Sequence, residues 1–206
     1  MDIKLDFSAL NHNGFIDEPF LLKRLGCIHW YLNEYDLNEK VYHSFVYIDH
    51  DLDLEYFTEG KTIIIKSIKT KYTNYIDVTH TLDNRYQVKM ITVPINIINN
   101  KIIRIKNGNN KRKPGELLDF KKQKTPLNIY KQYKYKLNRY RDFNKLNILY
   151  FANYIRIENE HIGPAMNGRT SYFFANTNCN FIDIKHNNNI ITIEDQNGIM
   201  YKSIRK

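Results

Sequence analysis

The sequence predicts an α+β fold: an antiparallel β meander with an N-terminal helix, a basic helical insertion and a C-terminal β-hairpin. Three observations carry that prediction. Leu21, Leu25, Ile28 and Leu32 recur at helical spacing, the period falls to two from Val41 onward, and Asn197-Gly198 between alternating segments is the strongest hairpin signal in the chain. A chain of 206 residues with 42% apolar composition can bury one substantial core. A single domain over 1–206 is expected, with a β-rich part at 41–106, a basic helical segment at 115–150 and a C-terminal meander at 171–204.

Asp17-Glu18-Pro19 supplies an acid near the N-cap and a proline at the first helical position, so a helix is expected over about residues 19–33. Gly26 costs it about 1 kcal/mol relative to Ala. Trp30 should be mostly buried, and His29 reads as a core-edge histidine. Between Val46 and Tyr56, apolar residues alternate with Asp49, Asp51, Asp53 and Glu55. Such a row suits a solvent face or a turn at Asp49-His50-Asp51; the other reading is a hard-cation site, but no second acidic row accompanies it. Ile63-Ile64-Ile65 predicts a central strand buried on both faces. Strands are expected at residues 75–82 and 85–98, with Pro94 marking an edge or bulge and Asn99-Asn100 a hairpin turn. Residues 107–115 break the periodicity. Thr125-Pro126 reads as a helix start, with Tyr130, Tyr133, Leu137 and Tyr140 along one face. Residues 146–157 are core in either helix or strand, 163–169 form a loop, and strands close the chain at 181–185, 190–194 and 199–204.

Charge is distributed very unevenly. Residues 101–145 contain fifteen Lys or Arg against three acids, which accounts for more than the whole formal net charge of +9. Phe120, Tyr130, Tyr133, Tyr135, Tyr140 and Phe143 are interleaved with those cations. Cations suit phosphates and rings suit base faces, so the expected partner is nucleic acid, DNA or RNA, bound with little sequence preference through Lys111, Arg112, Lys113, Lys121, Lys122, Lys124, Lys131, Lys134, Tyr135, Arg139 and Arg141. An acidic protein partner or a virion component with a basic face is the competing expectation. The 28 Ile, 26 Asn and 16 Tyr beside 8 Gly and 5 Pro are the residues of A/T-rich codons. A virus or mobile element is the expected source.

The acidic start and the lack of an 18-residue apolar run predict an intracellular, soluble, cytoplasmic protein without a membrane span. Cys27 and Cys179 form no disulfide framework or zinc spacing, and no cofactor or metal is expected. No nucleotide loop or metalloprotease motif is present. One constellation could do chemistry: His12 in a glycine-containing loop, and Tyr130 and Lys134 four residues apart, where the ammonium would acidify the phenol. In order and rough separation this trio resembles that of the poxins, viral nucleases that destroy 2′,3′-cGAMP. That resemblance implies a β-rich cytoplasmic fold, metal-independent phosphodiester cleavage, and His12, Tyr130 and Lys134 as catalytic residues. It covers those three positions alone, and His12 is followed by Asn13-Gly14-Phe15 where the family has Phe-Pro-Gly.

Overall fold

The computed structural model describes the chain except residues 34–41, 73, 99–100, 106–112, 125–130, 145–148 and 178 and the side chains of Lys101 and Lys124. It is mostly antiparallel sheet with a few helices. The elements are β1 (Asp2–Lys4), α1 (Glu18–Tyr31), β2 (Tyr42–His50), β3 (Thr62–Tyr72), β4 (Tyr75–Leu82), β5 (Tyr86–Ile98), β6 (Lys101–Arg104), β7 (Lys131–Lys136), α2 (Arg139–Asp142), α3 (Phe151–Ile162), β8 (Arg169–Phe173), β9 (Phe181–Asn187), β10 (Ile190–Asp195) and β11 (Gly198–Arg205).

The strand order is β1-β3-β4-β5-β2-β8-β11-β10-β9-β7, with β6 paired to β5 off this path. Read from either end, the order is the same. The succession β1, α1, β2, β3, β4, β5 recurs as β7, α3, β8, β9, β10, β11, and the two halves join where β2 pairs antiparallel with β8. Both long helices lie on one face, and their apolar sides share a core with strands of both halves. In α1 the Asp17 carboxylate accepts from Phe20 N at 3.1 Å, and Leu21, Leu22 and Leu25 are fully buried. Gly26 is the point of closest approach to α3: a Cβ there would stand 2.9 Å from Phe151 Cζ. A smaller apolar cluster covers the opposite face, where Leu117 and Phe120 pack on Tyr47, Tyr172, Ile91 and Val93.

Several expectations change. Within 41–106 only β3 to β6 form a meander, because β2 returns to pair with β5 and carries the sheet into its second half. The connecting Asn99-Asn100 lies outside the described residues, although Ile98 pairs with Lys101 across it. Pro94 falls between the part of β5 that pairs with β4, up to Thr92, and the part that pairs with β6, from Ile95 onward. The Ile63–Ile65 run is not buried on both faces: Ile63 and Ile65 are interior, while Ile64 is half exposed because the outer face of β3 is uncovered. Among the described residues the expected basic helix is not found: residues 131–136 form β7, paired along β9 from Lys131↔His186 to Lys136↔Phe181. Tyr133, Tyr135 and Leu137 turn inward while Lys134 and Lys136 stay exposed. Thr125, Pro126 and Tyr130 lie outside the described residues. Asp49, Asp51 and Asp53 serve three separate contacts: Asp49 accepts from Thr170, Asp51 from Gln87 N at 2.7 Å, and Asp53 caps the turn at Leu54–Tyr56.

At one end of the seam lies a fully buried ionic network. Arg169 at the start of β8 pairs with Glu18 of α1 at 2.6 Å and Glu158 of α3 at 2.8 Å. His50 closes on Glu18 at 2.8 Å, and Glu158 also accepts from Tyr201, Ser203 and Arg205. Burial alone would raise the Glu18 carboxyl, but Arg169 and the hydrogen bonds from His50 and Asn159 hold it at about 2. Gly168 lets the chain in: with φ +104, its missing Cβ would stand 2.3 Å from His50 O. Removing one partner leaves an uncompensated buried charge, so Arg169→Met is expected to destabilise by about 3 to 5 kcal/mol in urea titration. A loss below about 1 kcal/mol would show that the network relaxes without its arginine.

Candidate functional site at the seam of the sheet

β2 and β8 pair over four positions, from His50↔Arg169 to Tyr47↔Tyr172. Beyond Tyr47 and Tyr172 they separate. The register of β2 against β5 shifts between Phe45 and Tyr47, so that Val46 and Tyr47 both face outward while Phe45 and Ile48 face the helices. A cavity of about 650 Å³ opens in this wedge. Its size lies within the range of about 300 to 1,000 Å³ usual for small-molecule sites.

The lining is mostly apolar and comes from both layers of the fold. On the helix side are Trp30, Phe45, Leu149, Phe151, Tyr154 and Phe173; on the outer side are Tyr42, Val46, Val93, Ile95, Phe120 and Phe174. Rings set the shape, with Phe45 and Phe151 centroids 4.1 Å apart and Phe120 and Phe174 4.8 Å apart. The wall after β8 is fixed by hydrogen bonds: Asn176 Oδ1 accepts from Leu149 N at 3.0 Å, and Tyr154 donates its hydroxyl to Ala175 O at 3.1 Å. Tyr150 and Phe151 bring the start of α3 to the cavity, and no side chain caps that helix. Its first N–H groups therefore favour a carbonyl oxygen or an anion. Burial raises the phenols of Tyr150 and Tyr154, which stay neutral donors near pH 7.

His43 is the only histidine among the described lining residues, which include no carboxylate and no cysteine. Behind it lie His29 and His80. His29 Nε2 is 2.8 Å from Thr92 Oγ1, and His80 Nδ1 is 2.8 Å from Ser67 Oγ. Burial lowers both, His29 to about 3 with help from His80, His43 and Lys69, and His80 to about 4.

No family model matches the sequence, and no curated protein matches it. Solved structures do. An acyl-ACP thioesterase from Bacteroides thetaiotaomicron aligns with a TM-score of 0.67 at 11% identity, over 98% of this chain and 94% of that one. A 12:0-ACP thioesterase from Umbellularia californica aligns at 0.71 and 9% identity, over 98% and 91%. The fold resembles that of hot-dog fold thioesterases. At such identities the likeness establishes the hot-dog fold, and function has to be argued from the site.

These neighbours overturn the expectation of a virus-encoded nucleic-acid-binding protein, and nothing in them points to a viral source. The structure shows why the charge pattern misled. The described cations are spread over separate elements: Lys113, Lys121 and Lys122 on the segment over the outer face, Lys131 and Lys134 on edge strand β7, and Arg139 and Arg141 on α2. Lys111 and Arg112 lie outside the described residues, as does the side chain of Lys124. Tyr135 is not free to stack on a base: its hydroxyl donates to Asp142 at 3.1 Å and its ring meets His161 edge-on. Nor do the nuclease residues gather. The loop of exposed His12 follows β1 and Lys134 sits on β7, the two ends of the strand order, while Tyr130 lies outside the described residues. No helix among the described residues is long and apolar enough to cross a membrane.

Sequence reasoning missed the cavity residues, which come from distant segments and carry no motif. His43 and Asn176 had no signal of their own. For the buried histidines the linkage has a definite sign: both are depressed in the folded protein, so the unfolded chain binds more protons below its value of 6.5. Their contribution is complete above about pH 6.5 and is lost as pH falls through about 4 and then about 3. Thermal unfolding midpoints should therefore drop between about pH 7 and pH 4, and His80→Gln should flatten the drop. Identical pH dependence in parent and variant would remove His80 from the stability of the fold.

Proposed function

We propose that the protein takes the acyl chain of a thioester into the seam cavity and hydrolyses that thioester. The observation that carries this reading is the cavity itself: an apolar slot that ends at the uncapped N-terminus of α3. Each buried methylene contributes about 0.8 kcal/mol, which holds the chain. The thioester carbonyl at Tyr150–Phe151 would be polarised by helix N–H groups, which strengthen their hold as charge develops on its oxygen. His43 is the described lining residue able to take a proton from water. Water then adds to the carbonyl carbon, the C–S bond breaks and the sulfur leaves as a thiol after protonation. The acyl-ACP and 12:0-ACP thioesterases that share the fold support this substrate class.

A second reading is favoured by one specific observation. With neither carboxylate nor cysteine among the described lining residues, the cavity suits holding an acyl chain without cleaving it. Acyl-CoA thioesters of about 8 to about 18 carbons, followed by thiol release, separate the two when fluorescent fatty-acid displacement is measured beside them. The expected result is thiol release by the parent and a loss of about 10²-fold or more in His43→Ala, with chain binding retained. Chain binding without thiol release would select the second reading, and absence of both would overturn each.

A further inference from the structure

The cavity does not belong to one layer of the fold. Phe45, Phe151 and Phe173 place its inner part in the core beneath the helices, whereas Val93, Ile95 and Phe174 place its outer part in the cluster on the opposite sheet face. A slot joining the two layers has to pass through the sheet, and it does so where β2 and β8 have parted. Its ends differ chemically. The inner end carries His43, Tyr150 and Asn176 around the start of α3, and the outer end is bordered by the ring of Phe120, 6.2 Å from that of Tyr172, and by the exposed Ile102 and Arg104 of β6.

Phe120 belongs to a segment held down at two anchors. Leu117 is buried among Tyr47, Ile91 and Val93. Next to it, Glu116 pairs with the Lys89 ammonium, which lies 3.1 Å from Asp77. Burial raises the Glu116 carboxyl and the hydrogen bond from Lys89 more than offsets this, so that it lies below the usual value. Phe120 is thus a wall placed by buried contacts on a strap across the outer mouth.

We propose that Phe120 sets the length of the acyl chain that the protein accepts: the chain threads the sheet from the start of α3 and its methyl end stops against this ring. The proposal rests on the acyl-binding reading above and can fail separately from it. Displacement of a fluorescent fatty acid by saturated fatty acids of about 8 to about 18 carbons reads it directly. In the parent, affinity should rise about fourfold per methylene up to a limit and then level. Phe120→Ala should move that limit up by about two carbons or more, Phe120→Leu by less, and Phe120→Trp should move it down, because only the outer wall changes. Phe120→Leu preserves an apolar cover if the alanine variant loses its strap. The same limit in every folded variant would overturn Phe120 as the wall. Failure of the parent to bind any chain would instead overturn the acyl-binding reading.

Discussion

Arg169 is the constraint on which the rest of the structure depends. It is fully buried at the start of β8, and its two carboxylate partners sit on different helices, Glu18 on α1 and Glu158 on α3. Each half of the chain therefore contributes a charge that the other must neutralise. Such a network adds little net stability compared with an apolar filling, because removing the charges from water costs several kcal/mol per ion. What it imposes is a position. The pair His50↔Arg169 fixes the register of β2 on β8, and any slip would strand an ion in the core.

The seam has two ends, and the repeated topology relates them. The start of α1, the end of β2 and the start of β8 meet at the ionic network. The start of α3, the end of β8 and the start of β2 meet at the cavity. Two equivalent places are thus filled in opposite ways, one with Glu18, His50 and Arg169 and the other with a slot lined by aromatic rings. The locked end holds the strands in register over four pairs, and this lets them part at the other end without losing the sheet.

The sequence showed local features and hid the long-range ones. The 4-3-4 spacing of Leu21, Leu25, Ile28 and Leu32 marks α1, and Asn197-Gly198 marks the turn where Gly198 has φ +112. Tyr133, Leu137 and Tyr140 fit a helical stripe, yet Tyr133, Tyr135 and Leu137 fit a strand equally well, and the exposed Lys134 and Lys136 between them carried the deciding alternation. Arg169 read as part of a loop because nothing local distinguishes it; its partners are 151 residues back and 11 residues back in the chain. The halves share topology and not sequence, so the repeat emerges only from strand pairing. The window at 101–145 shows the converse: cations adjacent in sequence are dispersed by β6, the strap and β7 onto separate parts of the surface.

A hole between paired strands is costly unless the backbone groups it frees find partners. Here the bulge between Phe45 and Tyr47 reduces that cost. β2 keeps its ladder to β5 through Tyr42↔Ile95 on one side while giving up β8 on the other. The chain leaving β8 is taken over by other partners: Phe174 N donates to Met200 O at 2.8 Å, Tyr154 reaches Ala175 O, and Asn176 binds Leu149. The same shift turns two successive side chains, Val46 and Tyr47, outward, which draws the outer apolar cluster and the Phe120 strap over the gap. Opening the sheet and covering the opening therefore both follow from a single irregularity in β2, and the slot that results is lined mostly by apolar side chains, with Arg104 on its outer side and His43 and Asn176 toward the start of α3.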